Sequence, residues 1–217
     1  GMVGALERGS GRPTPSLKIQ IARAAHHPVV PHNGERHPAA SLAISQRRLD
    51  VVLGLLDAVR NAGRIMKEVG VGAVKLEGGS YIADIVRHLV QIGIPVMGHL
   101  GLTPQAINKF GTYEVRAQEP GEAQELLRDA KVLEKAGVFA IVLEKIPSDL
   151  ARKVTKSVSV PTIGIGAGPH CDGQVLVVYD MLGFTEEFQP RFVRRYEELA
   201  ETMRKAFRRY ISDVKGG

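Results

Sequence analysis

Tryptophan is absent, cysteine occurs once and aromatic residues make up only 5% of the 217-residue chain. So few aromatics exclude a surface built on stacking platforms. A lone Cys171 closes no internal disulfide, and the expected compartment is the reducing cytoplasm. No apolar run approaches the ~18 residues that a membrane-spanning helix needs. The first residues, Gly1-Met2-Val3-Gly4-Ala5, show no basic segment leading into an apolar one, so no secretory signal is expected. A net charge of +6 invites a nucleic-acid reading, but its placement argues otherwise. Residues 1–50 hold seven Lys/Arg against three Asp/Glu, and the rest of the chain holds 22 against 20. No stripe of basic and aromatic residues accompanies the excess, so neither nucleic acid nor membrane is an expected partner. What remains is an ordinary globular composition, 44% hydrophobic and 24% charged, with enough chain to bury a core.

The chain divides in two. Residues 1–50 carry five of the twelve prolines and four of the seven histidines. Stretches such as His26-His27-Pro28-Val29-Val30-Pro31-His32-Asn33-Gly34 break any period, and this segment reads as irregular. His26, His27, His32 and His37 lack the spacing of a zinc site. Residues 51–217 are regular. Leu55, Leu56, Val59, Ala62, Met66 and Val69 mark one face of a helix over 51–69, with Gly70 to end it. Strands are expected at 71–76, 94–97, 138–143, 160–165 and 174–179. Between them come helices over 80–92, 122–136 and 148–156. A loop runs from Leu100 to Gly121. A last helix, about Pro190 to Asp213, turns Phe192, Tyr196, Leu199, Met203, Ala206 and Tyr210 inward.

Short apolar strands alternating with amphipathic helices imply an α/β fold with a covered parallel sheet. A doubly wound sheet and a (β/α)8 TIM barrel both satisfy the pattern. Glu77, His99 and Glu144 each follow a different strand, and barrel enzymes gather their chemistry at those C-terminal ends, which favours the barrel. A complete barrel takes about 250 residues. Five strands are legible here, so the barrel is expected to be incomplete, with its first strands missing or altered.

Four places carry chemistry. In Val74-Lys75-Leu76-Glu77-Gly78-Gly79, period two puts Lys75 and Glu77 on one face of a strand. Glu77 then suits a hard cation and Lys75 a substrate anion, or the two form a pair at a wet strand end. His99 sits between Gly98 and Leu100-Gly101, as a site residue or a hydrogen-bonded turn residue. Glu144 ends the most apolar strand. Desolvation there would suit a general base, against an exposed carboxylate in a loop. Gly164-Ile165-Gly166-Ala167-Gly168 is no dinucleotide fingerprint; a close-packed strand end and an anion nest both fit. Cys171, between His170 and Asp172, lacks an evident base and is not expected to be a nucleophile.

Taken together, Val-Lys-Leu-Glu-Gly-Gly, Gly-His-Leu-Gly-Leu-Thr-Pro-Gln, Val-Leu-Glu-Lys-Ile-Pro and Thr-Ile-Gly-Ile-Gly-Ala-Gly-Pro-His-Cys-Asp-Gly-Gln-Val-Leu-Val resemble the ketopantoate hydroxymethyltransferase family in content, order and spacing. The resemblance runs from about Ala58 to about Val214. It implies strands four to eight of a barrel and hydroxymethyl transfer from 5,10-methylenetetrahydrofolate to 3-methyl-2-oxobutanoate, in pantothenate synthesis. It also implies Glu77 as a Mg²⁺ ligand, Lys75 and His99 on the keto acid and Glu144 as the base at C3. A homo-oligomeric ring, with a decamer as the candidate size, is the implied assembly.

The first part of the chain departs from that pattern. The family places an Asp-Ser at the end of its second strand and an Asp-Leu-Pro-Phe-like segment at the end of its third, and both aspartates reach the metal. Here Gly1-Met2-Val3 aligns just past the Asp-Ser turn, and gapless counting puts the third-strand Asp at Ser45. The expectation is an N-terminal part that is truncated or out of the family's reading frame. The alternative to a working transferase is an impaired member acting only as an assembly subunit.

Overall fold

The computed structural model describes residues 2–5, 43–104, 114–185 and 190–217, with side chains from residue 54 on. In chain order the elements are β1 (Met2–Ala5), α1 (Ala43–Val69), β2 (Val74–Glu77), a 3-10 turn (Ser80–Ile82), α2 (Ala83–Gln91) and β3 (Val96–Gly101). There follow α3 (Pro120–Ala136), β4 (Ala140–Glu144), α4 (Ser148–Ser157), β5 (Thr162–Ile165), β6 (Gly173–Val177), α5 (Val178–Met181) and α6 (Leu199–Gly216). Local chemistry explains the clearest of these. α3 opens on Pro120, whose missing N–H costs nothing in a first turn. It closes on Gly137 at φ 101°, where the amide returns to the carbonyls of Leu133 and Glu134.

The sheet runs β1-β6-β5-β4-β3-β2. From β2 to β6 every pair is parallel and every neighbour is the next strand in sequence. A doubly wound sheet reverses its strand order at a switch point and carries helices on both faces. Neither holds here. The larger apolar cluster joins Val74, Val96, Leu100, Ile141 and Leu143 of the strands to Ala62 of α1, Val86 and Leu89 of α2, Leu133 of α3 and Val154 of α4. The smaller cluster, Met97, Ala140, Val142 and Ile165 with Phe139, Ile163, Val175 and Val177 against it, comes from strands and their immediate flanks. One face of the sheet is therefore covered by helices and the other is lined by strand side chains. That is the wall of a (β/α) barrel, and β1 and β2 are its edges among the described residues.

Several expectations shift. Helix α1 begins at Ala43, within the stretch read as irregular; Ala43 to Asp50 holds neither Pro nor Gly to stop it. Ser45 thus lies on a helix backbone, not at a strand end. Residues 2–5 form a strand antiparallel to β6, Met2 opposite Val177. The inward face of α1 narrows: Ala62 is buried and Val59 and Met66 pack on the core, but Leu56 and Val69 are exposed. Strand β6 stops at Val177, and Val178-Tyr179 enter α5 instead. The last helix starts at Leu199, because the amides of Tyr196 and Leu199 bond the carbonyls of Met181 and Leu182. It buries no residue, and Phe192, Tyr196, Met203 and Tyr210, expected inward, are exposed. The four early histidines and Gln105 of the Gly-Leu-Thr-Pro-Gln motif lie outside the described residues.

Candidate active site

Period two carries the site. On β2, Val74 points into the helix-side core, so Lys75 and Glu77 face the other way. On β3, Met97 belongs to the strand-lined cluster and His99 is the next residue on its face. On β4, Ala140 and Val142 belong to the same cluster, and Glu144 follows them. The parallel register sets Glu77 opposite His99, His99 opposite Val142 and Gly101 opposite Glu144. A floor of Met97, Ala140, Val142 and Ile165 thus supports a polar layer at the C-terminal ends of three consecutive strands.

The four residues expected from sequence meet there. Lys75 Nζ lies 3.1 Å from His99 Nδ1 and 3.7 Å from Glu77 Oε1. Glu77 Oε1 is 3.6 Å from His99 Nδ1, and His99 Nε2 is 3.2 Å from Glu144 Oε2. The His99 side chain is 1% exposed, Glu77 8%, Glu144 17% and Lys75 26%, so the cluster opens toward solvent on the Lys75 and Glu144 sides. An ammonium has only hydrogens to offer, so in this contact Nδ1 accepts and Nε2 is the ring nitrogen left to donate. That Nε2 is buried and makes no aligned hydrogen bond, although the Glu144 carboxylate is near. A buried donor left without a partner is costly, and an oxygen placed beside it would satisfy it.

The backbone around Glu144 is pinned from several sides. Leu102 donates its amide to the Glu144 carbonyl at 2.8 Å. That approach needs glycine at 101: φ is +93°, and an added Cβ would lie 2.2 Å from the Glu144 oxygen. Lys145 adopts φ 49°, a left-handed conformation that costs a residue with a Cβ about 1–2 kcal/mol. It is held by its amide on Ile165 and by the amide of Arg116 on its carbonyl, each at 2.8 Å. Strain next to a site is tolerated where the surroundings over-determine it. Lys145 and Arg116 escaped sequence reading because neither a positive φ outside glycine nor an amide bonded to a distant carbonyl has a compositional signature.

The remaining candidates take structural roles. Gly164, Gly166 and Gly168 face Cys171, Phe192 and Ser148 so closely that the glycine run is a close-packed strand end. Asp172 accepts from the amide and hydroxyl of buried Thr162. Burial pushes the Cys171 thiol up, against hydrogen bonds with Thr162 and Thr155, which leaves it a poor nucleophile. Glu77 is an oxygen donor of the kind Mg²⁺ takes, yet among the described residues no three His, Cys, Asp or Glu side chains are arranged to hold a metal ion.

Residues 51–217 match the family model described as ketopantoate hydroxymethyltransferase. The chain belongs to that family. It is 60% identical over 178 residues to the 3-methyl-2-oxobutanoate hydroxymethyltransferase of Prosthecochloris aestuarii, covering 82% of this chain and 64% of that one. The enzyme of the same name from Chlorobaculum parvum is 62% identical, covering 73% and 57%. That of Flavobacterium johnsoniae is 61% identical, covering 73% and 58%. The chain thus spans about three fifths of the length of these relatives. The ketopantoate hydroxymethyltransferase match takes in every strand from β2 to β6 and all four clustered residues, and residues 1–50 lie outside it.

Proposed function

We propose that the chain carries the keto-acid half of a hydroxymethyltransferase site that takes 3-methyl-2-oxobutanoate to ketopantoate in pantothenate synthesis. The observation that supports it most is that Lys75 and Glu144 flank the His99 ring at the strand ends, 3.1 Å from Nδ1 and 3.2 Å from Nε2. Lys75 pairs with the substrate carboxylate. Glu144 takes the proton from C3, and the electron pair of that bond moves into the enolate. His99 donates from Nε2 to the oxygen that gains charge, a role for which a preorganised buried donor is suited. Water adds to the bridging carbon of 5,10-methylenetetrahydrofolate and both of its C–N bonds break, which releases tetrahydrofolate and a formaldehyde equivalent. The enolate carbon attacks that carbon, the C=O π pair moves to oxygen, and the oxygen takes a proton to give the hydroxymethyl group.

Mg²⁺ is the cation that membership of this family brings to the proposal, with Glu77 as its ligand in this chain. The described residues do not fit a complete Mg²⁺ site. Glu77 Oε1 already faces Lys75 and His99, and Mg²⁺ prefers six oxygens in near-octahedral array. The proposed compartment is the cytoplasm and the proposed assembly a homo-oligomeric ring; no described helix is long and apolar enough to cross a membrane.

The test is exchange of the C3 proton of 3-methyl-2-oxobutanoate in D₂O, followed by NMR without folate, with and without Mg²⁺. Exchange that falls about 10²- to 10⁴-fold in Glu144→Gln is the expected result for a general base. No exchange from the folded protein under either condition overturns the proposal and favours a subunit that only assembles.

A further inference from the structure

Asp129 is 9% exposed and lies on α3 between Leu126 and Leu133, on the face that packs into the helix-side core. A carboxylate at such a position is expensive unless it is hydrogen-bonded. Its Oδ1 accepts the amide of Ser80 at 3.0 Å. Its Oδ2 lies over Gly79 so closely that an added Cβ would fall 1.7 Å from it. Ser80 begins the 3-10 turn that leads into α2, and Gly79 before it supplies no side-chain cap. The missing cap arrives from another helix, 49 residues away in sequence, and its negative charge meets the amide end of the turn. Directly after Glu77, the amide of Gly78 bonds the His99 carbonyl at 3.2 Å. The end of β2 is therefore held at two points, one on β3 and one on α3.

We infer that Asp129 is a positioning residue: it fixes the Gly78-Gly79-Ser80 turn and, through it, the place of Glu77 and Lys75 against His99. The inference rests on the reading of Lys75, Glu77, His99 and Glu144 as the site. Gly79 and Asp129 form one device, since the carboxylate occupies the space that any side chain at 79 would take.

The experiment uses the ¹⁵N-labelled full chain as Asp129→Ala, Asp129→Asn, Gly79→Ala and the Asp129→Ala/Gly79→Ala pair. Two signals are read: the exchange rate of the Ser80 amide and the imidazole ¹⁵N shifts of His99, which report the Lys75 contact at Nδ1. Asp129→Ala is expected to speed Ser80 exchange about tenfold or more, the scale of a charge-assisted hydrogen bond, and to move the His99 nitrogens. Asn keeps an acceptor and holds both signals near those of the unsubstituted chain. Gly79→Ala moves them as Asp129→Ala does, and the pair falls short of additivity because the carboxylate that opposes the new methyl is gone.

Asp129→Ala with unmoved His99 nitrogens in a folded chain overturns the inference, as do strictly additive effects in the pair. Asn acting as Ala does overturns it too. Where Asp129→Ala does not fold, Gly79→Ala with His99 unmoved has the same force. Neither signal depends on turnover, so a chain without C3 exchange leaves this test standing.

Discussion

Helices α3 and α6 are nearly equal in length, 17 and 18 residues, and both are amphipathic, yet α3 buries Leu126, Asp129, Ala130, Leu133 and Ala136 while α6 buries nothing. Connectivity explains the difference. α3 is the crossover between β3 and β4, tied at both ends to strands in the middle of the sheet. Packing onto the sheet is then the short path for the chain. α6 comes after β6, and among the described residues no strand follows it. Its apolar residues Met203, Phe207, Tyr210, Ile211 and Val214 stay exposed. A hydrophobic stripe says that a helix has a face to bury, and only the neighbouring strands say what it is buried against.

Four measurements would break or sharpen that contrast. The largest effect is expected from Leu133→Ala in α3, where the side chain is fully buried. It should lower stability by about 2–5 kcal/mol in urea unfolding; a loss like that of a surface change would mean α3 is not anchored. Next come two glycines with similar backbone angles. Gly101→Ala should cost about 1–3 kcal/mol, since its φ is +93° and the new Cβ meets the Glu144 oxygen. Gly93→Ala, at φ +89° with nothing near, should carry only the left-handed penalty of about 1–2 kcal/mol and leave C3 exchange untouched. Equal effects of the two on exchange would dissolve the distinction between the centre and the rim.

Smaller still is Tyr210→Ala on α6, expected within about 0.5 kcal/mol of the unsubstituted chain. A loss near that of Leu133→Ala would show that α6 is covered in solution. The smallest effect concerns pH. Hydrogen bonds from the Ser159 hydroxyl and amide hold the Glu134 carboxyl on α3 below its ordinary value. A depressed folded pKa favours the folded state above the unfolded pKa, near 4.3 for about any exposed Glu. That increment disappears as pH falls through the folded value. Glu134→Gln should therefore flatten the acid limb of stability slightly. An unchanged limb would mean that Ser159 does not hold the charge.

The site was more legible than the fold's edges. Glu77 and Glu144 could be picked out because each ends a short strand, and Lys75 and His99 because each lies two residues before such an end, where a polar side chain is unusual enough to notice. Asp129 was passed over, although an acidic residue spaced three and four from Leu126 and Leu133 on an apolar helical face was a usable signal. Arg116 and Lys145 offered none. The end of β6 and the start of α6 were misplaced because the carbonyls of Val178 and Tyr179 accept the amides of Leu182 and Phe184 in turns, while the amides of Tyr196 and Leu199 reach back to Met181 and Leu182. Local propensity is blind to both.

Sequence alone determined where strands β2 to β5 and the helices between them lie, which residues stand near the strand ends and which family they belong to. Those properties reside in short windows: period two on a strand, period 3.6 on a helix, glycine where a turn demands it. Tertiary structure decided that the helices share one face of the sheet, that Lys75 and Glu144 meet His99 from opposite sides, and that a carboxylate on α3 holds the turn after Glu77. Such contacts join residues 24 to 49 positions apart. Their geometry comes from strand register and helix packing, which no local window contains.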